Sequence, residues 1–499
     1  MKGVLNLIAL LRNDRIKLIS FSLFFGWLLA VPFEGQVLYR LLELSDIEGS
    51  MHTVIAVFAH FLGLIVSGFL INRQYVAKMT MVIATVICIL GSLVFFLSFS
   101  MLWNLALINV AFFSGMFVAC WGWFFKYYTR PGQRLAIAAE VLIWSNVMMI
   151  FINVIANNVS AVLALSVAIV GLLMALLVTF SLDDQERSSE KVNIDFDNIN
   201  QNKSTIGLKP IVILGLFIFI ITINSGLMYQ VVNPAFSHFT LLTSYFWALP
   251  YILVILIIRN IAPKTNMAYI LYVALAMLGI SYILFMVLDI SIASYLLINT
   301  FMLGAFGVFD LFWWSILGKF LEHYKNPIKV WGIGLSMNVL GILIGGYVGA
   351  VYVGEGEYIH ASIVALAVIC TAILILPILN NQLANTLKGH VFLYDFAPDR
   401  EMAKEIALTK EMALTNEKEI LQESNMLDFK QDYKLTDREM EITELLVRGY
   451  TYKAIAKTLF ISENTMKYHA KNIYQKLNVK SKMELIRLLS RNSNSENKQ

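Results

Sequence analysis

Lys467, Tyr468 and Lys471 fall on one face of a helix that opens at Ser462, while Met466, Ala470 and Ile473 fall on the other. Two ammonium groups and a phenol offered from the first turns of a helix suit a DNA major groove. Lysine donates to guanine N7 and O6, and tyrosine adds apolar contact or a hydrogen bond. Lys453, Thr465 and Lys476 are placed for phosphates, which gives affinity rather than choice of sequence. A single lysine is ordinarily a solvated surface residue; the clustering carries the expectation here. Residues 433–492 hold 12 basic and 6 acidic side chains, whereas 381–432 hold 6 basic and 10 acidic.

Capping residues cut this region into four helices. Thr436-Asp437-Arg438-Glu439 is a capping box, in which the hydroxyl takes a backbone amide and the carboxylate reaches back. That helix should stop before Gly449, and Thr451 can open a short one running through Leu459. Ser462 caps the DNA-reading helix, with Glu463 favourable at its positive end. Asn478 can take the left-handed turn that follows, and Ser481-Lys482-Met483-Glu484 opens a fourth helix. Ile442, Leu445, Leu446, Ile455, Ala456, Leu459, Ile461, Met466, Ile473 and Leu477 have the spacing of one small core.

In register across all four helices the segment resembles the LuxR-type helix-turn-helix. The likeness runs through Leu435-Thr436, Arg438-Glu439, Gly449, Ile455-Ala456, Ile461-Ser462, Thr465, Lys467, His469 and Lys476-Leu477. Ala454, Met466 and Asn478 depart from the residues usual in that family. The resemblance implies double-stranded DNA as partner, base contact by Lys467, Tyr468 and Lys471, and binding as a homodimer through the last helix.

The rest of the chain is of another kind. Apolar residues make up 58% of the sequence and charged ones 14%, against about 25% charged in an ordinary soluble protein, so a lipid bilayer is the expected surrounding. Apolar runs long enough to span lie near 16–33, 51–71, 79–99, 102–124, 135–156, 160–181, 210–230, 239–258, 267–288, 292–316, 329–352 and 360–380. With a cytoplasmic N-terminus, 18 Lys and Arg of the membrane region fall on the inner side and only Arg40 outside. The positive-inside rule then puts both termini in the cytoplasm of a multi-pass inner-membrane protein.

Six spans, a polar break and six spans resemble the major facilitator superfamily. Gly68 and Arg73 fit its motif between spans two and three, with Asn72 and Tyr75 in place of an acidic residue and a glycine. The expected fold class is all-α: a twelve-helix membrane bundle, six plus six, then a small four-helix DNA-binding domain. The expected bounds are 1–182 for the first half, 183–209 for a cytoplasmic loop and 210–381 for the second half. A charged, partly helical linker at 382–432, the DNA-binding domain at 433–492 and a tail at 493–499 complete the chain.

Ionisable groups within spans are candidates for ligand contact because an unpaired charge there is expensive. His60, Glu140 and Asp310 are the three, each with a neutral, hydrogen-bonded packing role as the plainer alternative. No Lys or Arg lies in mid-membrane, so no carboxylate pair is drawn. Asn109, Asn146, Asn224, Asn299 and Asn338 read as helix-packing residues. Trp121-Gly122-Trp123 and Trp313-Trp314 near span ends read as an interfacial belt. An aromatic-rich, charge-poor interior favours an apolar or weakly polar small ligand. Cys88, Cys120 and Cys370 read as small buried hydrophobes, and nothing has metal-ligand spacing or a catalytic arrangement, so no metal, cofactor or enzyme activity is expected. The sequence points to a membrane-embedded regulator that senses a small molecule and controls its own DNA-binding domain. The alternative is an active transporter with a regulatory domain appended.

Overall fold

The computed structural model describes residues 14–182 apart from 34, 46, 48 and 49, and residues 209–386 apart from 247, 262–266 and 355–357. Within 433–485 it describes 433, 435–447, 452, 455–456, 459, 461–479, 481 and 484–485. The chain forms two compact units, Met1–Leu393 and Tyr394–Gln499. No described residue is in a strand. Apart from Lys209, the loop expected at 183–209 lies outside the described residues, as do the linker expected at 382–432 apart from 382–386, the tail, and Gly449, Thr451, Lys453 and Ala454.

The first half of the membrane unit runs through α1 (Asp14–Ile19), α2 (Phe21–Leu28), α3 (Gln36–Glu43), α4 (Ser50–Leu70), α5 (Gln74–Val94), α6 (Met101–Tyr128), α7 (Arg134–Asn158) and α8 (Ala161–Phe180). The second half has α9 (Lys209–Leu227), α10 (Thr240–Tyr245), α11 (Leu249–Ile261), α12 (Met267–Val287), α13 (Ile292–Phe320), α14 (Pro327–Gly354) and α15 (Tyr358–Thr386). Ten described helices are long and apolar enough to cross a bilayer. Two further apolar helices, Val54–Leu70 and Leu249–Asn260, are shorter and fall where the second and eighth spans are expected.

Close backbone approach holds neighbouring helices together, because lipid offers no hydrophobic drive between them. A Cβ on Gly345 of α14 would lie 1.9 Å from the Ile223 carbonyl oxygen of α9, and one on Gly63 of α4 would lie 2.0 Å from that of Phe112 on α6. Both halves also break their first helix in the same way. A π-turn at Leu29–Phe33 holds Pro32, and a π-turn at Met228–Val232 is followed by Asn233-Pro234. Proline has no amide to donate and collides with the preceding turn, and π-turns collect at functional sites.

Three expectations need correction. Trp121, Trp313 and Trp314 are at most 3% exposed, so they form no interfacial belt. A tryptophan near a helix end looks alike in sequence whether it faces headgroups or the other half of the bundle. Cys370 is exposed on the bundle surface, unlike Cys88 and Cys120. Asn109 and Asn146 bond to carbonyls four residues back in their own helices, Leu105 and Leu142, rather than across to a neighbour.

Gly345→Ala should lower the melting temperature of the purified protein, since the new methyl must displace backbone at a cost of about 1–3 kcal/mol. Gly132→Ala, where a Cβ meets nothing within 4 Å, should not. A thermal melt in detergent reads both.

Candidate functional site

In the C-terminal unit, α16 (Asp437–Val447) and α17 (Glu463–Lys476) pack around Ile442, Leu446, Ile455, Ala456, Met466, Ile473 and Leu477. The caps form as the residue types dictate. Thr436 N–H donates to Glu439 Oε2 at 2.9 Å and Glu439 N–H to Thr436 Oγ1 at 3.2 Å, closing the capping box. Ser462 Oγ accepts from Thr465 N–H at 3.0 Å, and Asn478 has φ 51°. Ser481 Oγ accepts from Glu484 N–H at 3.3 Å.

These caps aim the outer face of α17. Tyr468 is 63% exposed, and Lys467 and Lys471 are exposed beside it, while Met466, Ala470 and Ile473 are buried. Lys467, Lys471 and Gln475 follow at intervals of four, so one stripe carries all three. Gln475 was missed by reasoning confined to the first turns of the helix; the four-residue interval is the signal that finds it. The stripe borders a concavity of about 470 Å³ that Tyr452, Tyr474 and Asn478 also line. The Tyr452 and Tyr474 hydroxyls lie 2.9 Å apart across it.

The three expected phosphate contacts differ in setting. Thr465 is exposed at the start of α17, its hydroxyl 2.7 Å from that of Ser462. Lys476 Nζ donates to Glu439 Oε2 at 2.6 Å, tying the end of α17 to the start of α16. Lys453 lies outside the described residues. Burial pushes the Glu439 carboxyl up, but the bonds from Lys476 and Thr436, with the lysine charge, outweigh it and hold the group below its ordinary value.

The membrane candidates sit in separate pairs. His60 of α4 is buried with Nδ1 2.8 Å from Ser114 Oγ of α6. Ser114 Oγ also lies 2.7 Å from the Ala111 carbonyl, to which it donates. Tyr251 of α11 donates to Asp310 of α13 at 2.9 Å. Glu140 of α7 is ion-paired with Arg259 of α11. No such pair can be drawn from the sequence because Arg259 lies at the end of its helix; it enters from the last turn of α11 and reaches Glu140.

That pair is one of several bonds between the halves, and three residues of α7 make four of them. At its first residue Arg134, fully buried, donates to Gly318 O of α13, to Thr129 Oγ1 at 3.0 Å, and to Glu322. Glu140 follows about two turns on, and at the far end Asn158 donates to Tyr245 of α10. Beside Arg134, Lys126 donates to the Tyr324 carbonyl at 3.2 Å and Asn326 to the Ile71 carbonyl at 2.9 Å. An aromatic junction lies next to these bonds: the Trp121 ring is 4.4 Å from Phe21, 5.8 Å from Trp314 and 5.5 Å from Trp331 between centroids. A Cβ on Gly122 would lie 2.5 Å from Trp331 Cβ, so the indole needs a glycine there.

Residues 433–489 match the model for bacterial regulatory proteins of the luxR family. Spore germination protein GerE of Bacillus subtilis (strain 168) is 46% identical over 59 residues, 80% of its own length and 12% of this chain. The chain belongs to the LuxR family of bacterial regulatory proteins. Oxygen regulatory protein NreC of Staphylococcus carnosus (strain TM300) is 50% identical over 52 residues, and this LuxR-family chain spans only 24% of its length. The membrane unit is similar in structure to the human organic anion transporter MFSD10, with a TM-score of 0.56 at 15% identity over 74% of this chain and 98% of that one. The proton:xylose symporter XylE gives 0.55 at 11% identity over 74% and 95%. The chain thus joins a LuxR-family DNA-binding domain to a membrane unit with the fold of major facilitator transporters.

Because the Glu439 carboxyl is held low, its bond to Lys476 stabilises the domain fully above the ordinary glutamate value, about 4.3. That share is lost as pH falls through the lowered value. Glu439→Gln should weaken the domain by about 2 kcal/mol at pH 7 and remove this part of the acid sensitivity. Hydrogen exchange of the α17 amides in the full-length protein reads both effects.

Proposed function

We propose that the protein is a one-component transcriptional regulator held in the inner membrane with both termini in the cytoplasm. Its bundle binds a small molecule and thereby controls DNA binding by the C-terminal domain, which acts as a homodimer. The exposed Lys467–Tyr468–Lys471 face of α17 carries this reading. Lys467, Tyr468 and Lys471 reach base edges, and Thr465, Lys453 and Lys476 meet phosphates. In the bundle, a ligand can bias the equilibrium only by binding two arrangements of the halves unequally. The joints along α7, with Glu140 among them, are the contacts such a bias would work on. His60 and Asp310 are the further polar groups at which a small, weakly polar ligand would be held.

A second reading, an active transporter with a regulatory domain, is favoured by the likeness of the bundle to transporters. The two separate on one strain. A regulator alters transcripts when its gene is deleted, and the affected genes point to the ligand; Lys467→Ala should reproduce the deletion profile. Supplying that ligand to proteoliposomes of the purified protein should give binding without accumulation. Accumulation inside the vesicles would establish the transporter reading instead.

Replacing Lys467 or Lys471 by Ala should weaken specific DNA binding by about 1–3 kcal/mol each and relax the choice of sequence. Arg134→Gln, which touches no DNA, should leave the affinity of the DNA-binding domain itself unchanged. It should shift reporter output from the full-length protein in cells at equal protein level.

A further inference from the structure

The first turn of α17 holds an amide that the domain itself does not use. Ser462 Oγ accepts from Thr465 N–H at 3.0 Å, and the two hydroxyls lie 2.7 Å apart, so both side chains are engaged in the cap. Asn464 is exposed, and its side chain makes no hydrogen bond or ion pair among the described residues. Asparagine is a poorer helix former than alanine. With Ser462 already supplying the cap, the helix gains nothing from an amide at this position. An exposed asparagine is ordinarily just solvated; the place of this one on the helix sets it apart.

That place follows from the helical repeat. Residues four and seven apart share a face, so Asn464 lines up with Tyr468 and Lys471, and all three are exposed. Met466, Ala470 and Ile473 make up the buried side. A reading helix enters the major groove by its N-terminal residues. Asn464 precedes both lysines on the face they share, so a pose that brings Lys467 and Lys471 to base edges brings Asn464 there too. Its chemistry differs from theirs. An ammonium only donates and suits guanine, whereas an amide donates and accepts side by side, the pattern that adenine shows at N7 and N6.

We propose that Asn464 is a specificity-determining residue of the DNA interface. Its amide NH2 donates to N7 of an adenine, and its amide oxygen accepts from the N6 amino group of the same base. A helix rises about 1.5 Å per residue, so Asn464 and Lys471 stand about 10 Å apart along α17. That is about three base-pair steps of ~3.4 Å. The adenine therefore lies about three base pairs from the base that Lys471 selects. The inference rests on α17 reading DNA, and it adds a residue and a base to that reading.

Full-length protein in lipid nanodiscs selects duplexes from a random pool, and the recovered motifs of the wild type and Asn464→Ala are compared. The variant should lose the preference for adenine at one position and keep the rest of the motif. At fixed salt, a duplex with 7-deazaadenine at that position lacks the N7 acceptor. It should bind the wild type about tenfold more weakly than the parent duplex and bind Asn464→Ala no differently from it. Retention of the other positions shows that the variant folds, since a merely structural role would weaken them all alike. An unchanged motif in Asn464→Ala, or equal sensitivity of the two proteins to 7-deazaadenine, would overturn the proposal and leave the lysines' reading intact. Failure of the wild type to select any motif would overturn both.

Discussion

Arg134 is a fully buried cation, and groups from both halves of the bundle must meet to keep it satisfied. Removing a guanidinium from water costs several kcal/mol, so it persists only where carbonyls, hydroxyls and a carboxylate take its donors. Those acceptors come from both halves: Thr129 from the first, Gly318 and Glu322 from the second. Gly318 is itself bound by this need, because a Cβ there would sit 3.3 Å from Arg134 Cδ and 2.9 Å from the Phe125 ring. A buried ion pair adds little net stability, but one that spans two halves fixes how they meet. With Glu140–Arg259 and Asn158–Tyr245 farther along the same helix, α7 acts as a spine that records the relation between the halves at three levels. Such joints have discrete made and broken states, which is what a ligand needs to act upon.

The DNA-binding unit depends on a smaller version of the same principle. Glu439 closes the cap of α16 and receives Lys476 from the last turn of α17. One carboxylate thus ties the start of α16 to the end of α17. Arg438 adds a second tie, donating to the Leu459 carbonyl at 2.6 Å. The exposed face of α17 carries Lys467, Tyr468, Lys471 and Gln475, none of which belongs to the buried core of the domain.

What was legible in the sequence divides along chain distance. The caps at Thr436, Ser462 and Asn478 are local, so residue type alone placed them, and the apolar spacing around Ile442 and Ile473 gave the small core. The all-α membrane fold was legible because a span is a statement about one continuous run. Pairings between distant residues were not. Glu140 and Arg259 are 119 residues apart, and nothing at either position announces the other. Trp121 and Trp314 were misread because position along a helix does not say which way a side chain faces. Pro32 and Pro234 were visible, but their meaning emerged only when both proved to lie at breaks in corresponding helices.

Chromatin immunoprecipitation of the full-length protein from intact cells bears most directly on whether a membrane-held LuxR-family domain reads DNA in place. Regulation from the membrane predicts discrete promoter peaks sharing one sequence motif, lost in a Lys467→Ala, Lys471→Ala double variant present at the same level in the membrane. Absence of discrete peaks for the wild-type protein, or the same peaks for the double variant, would contradict it.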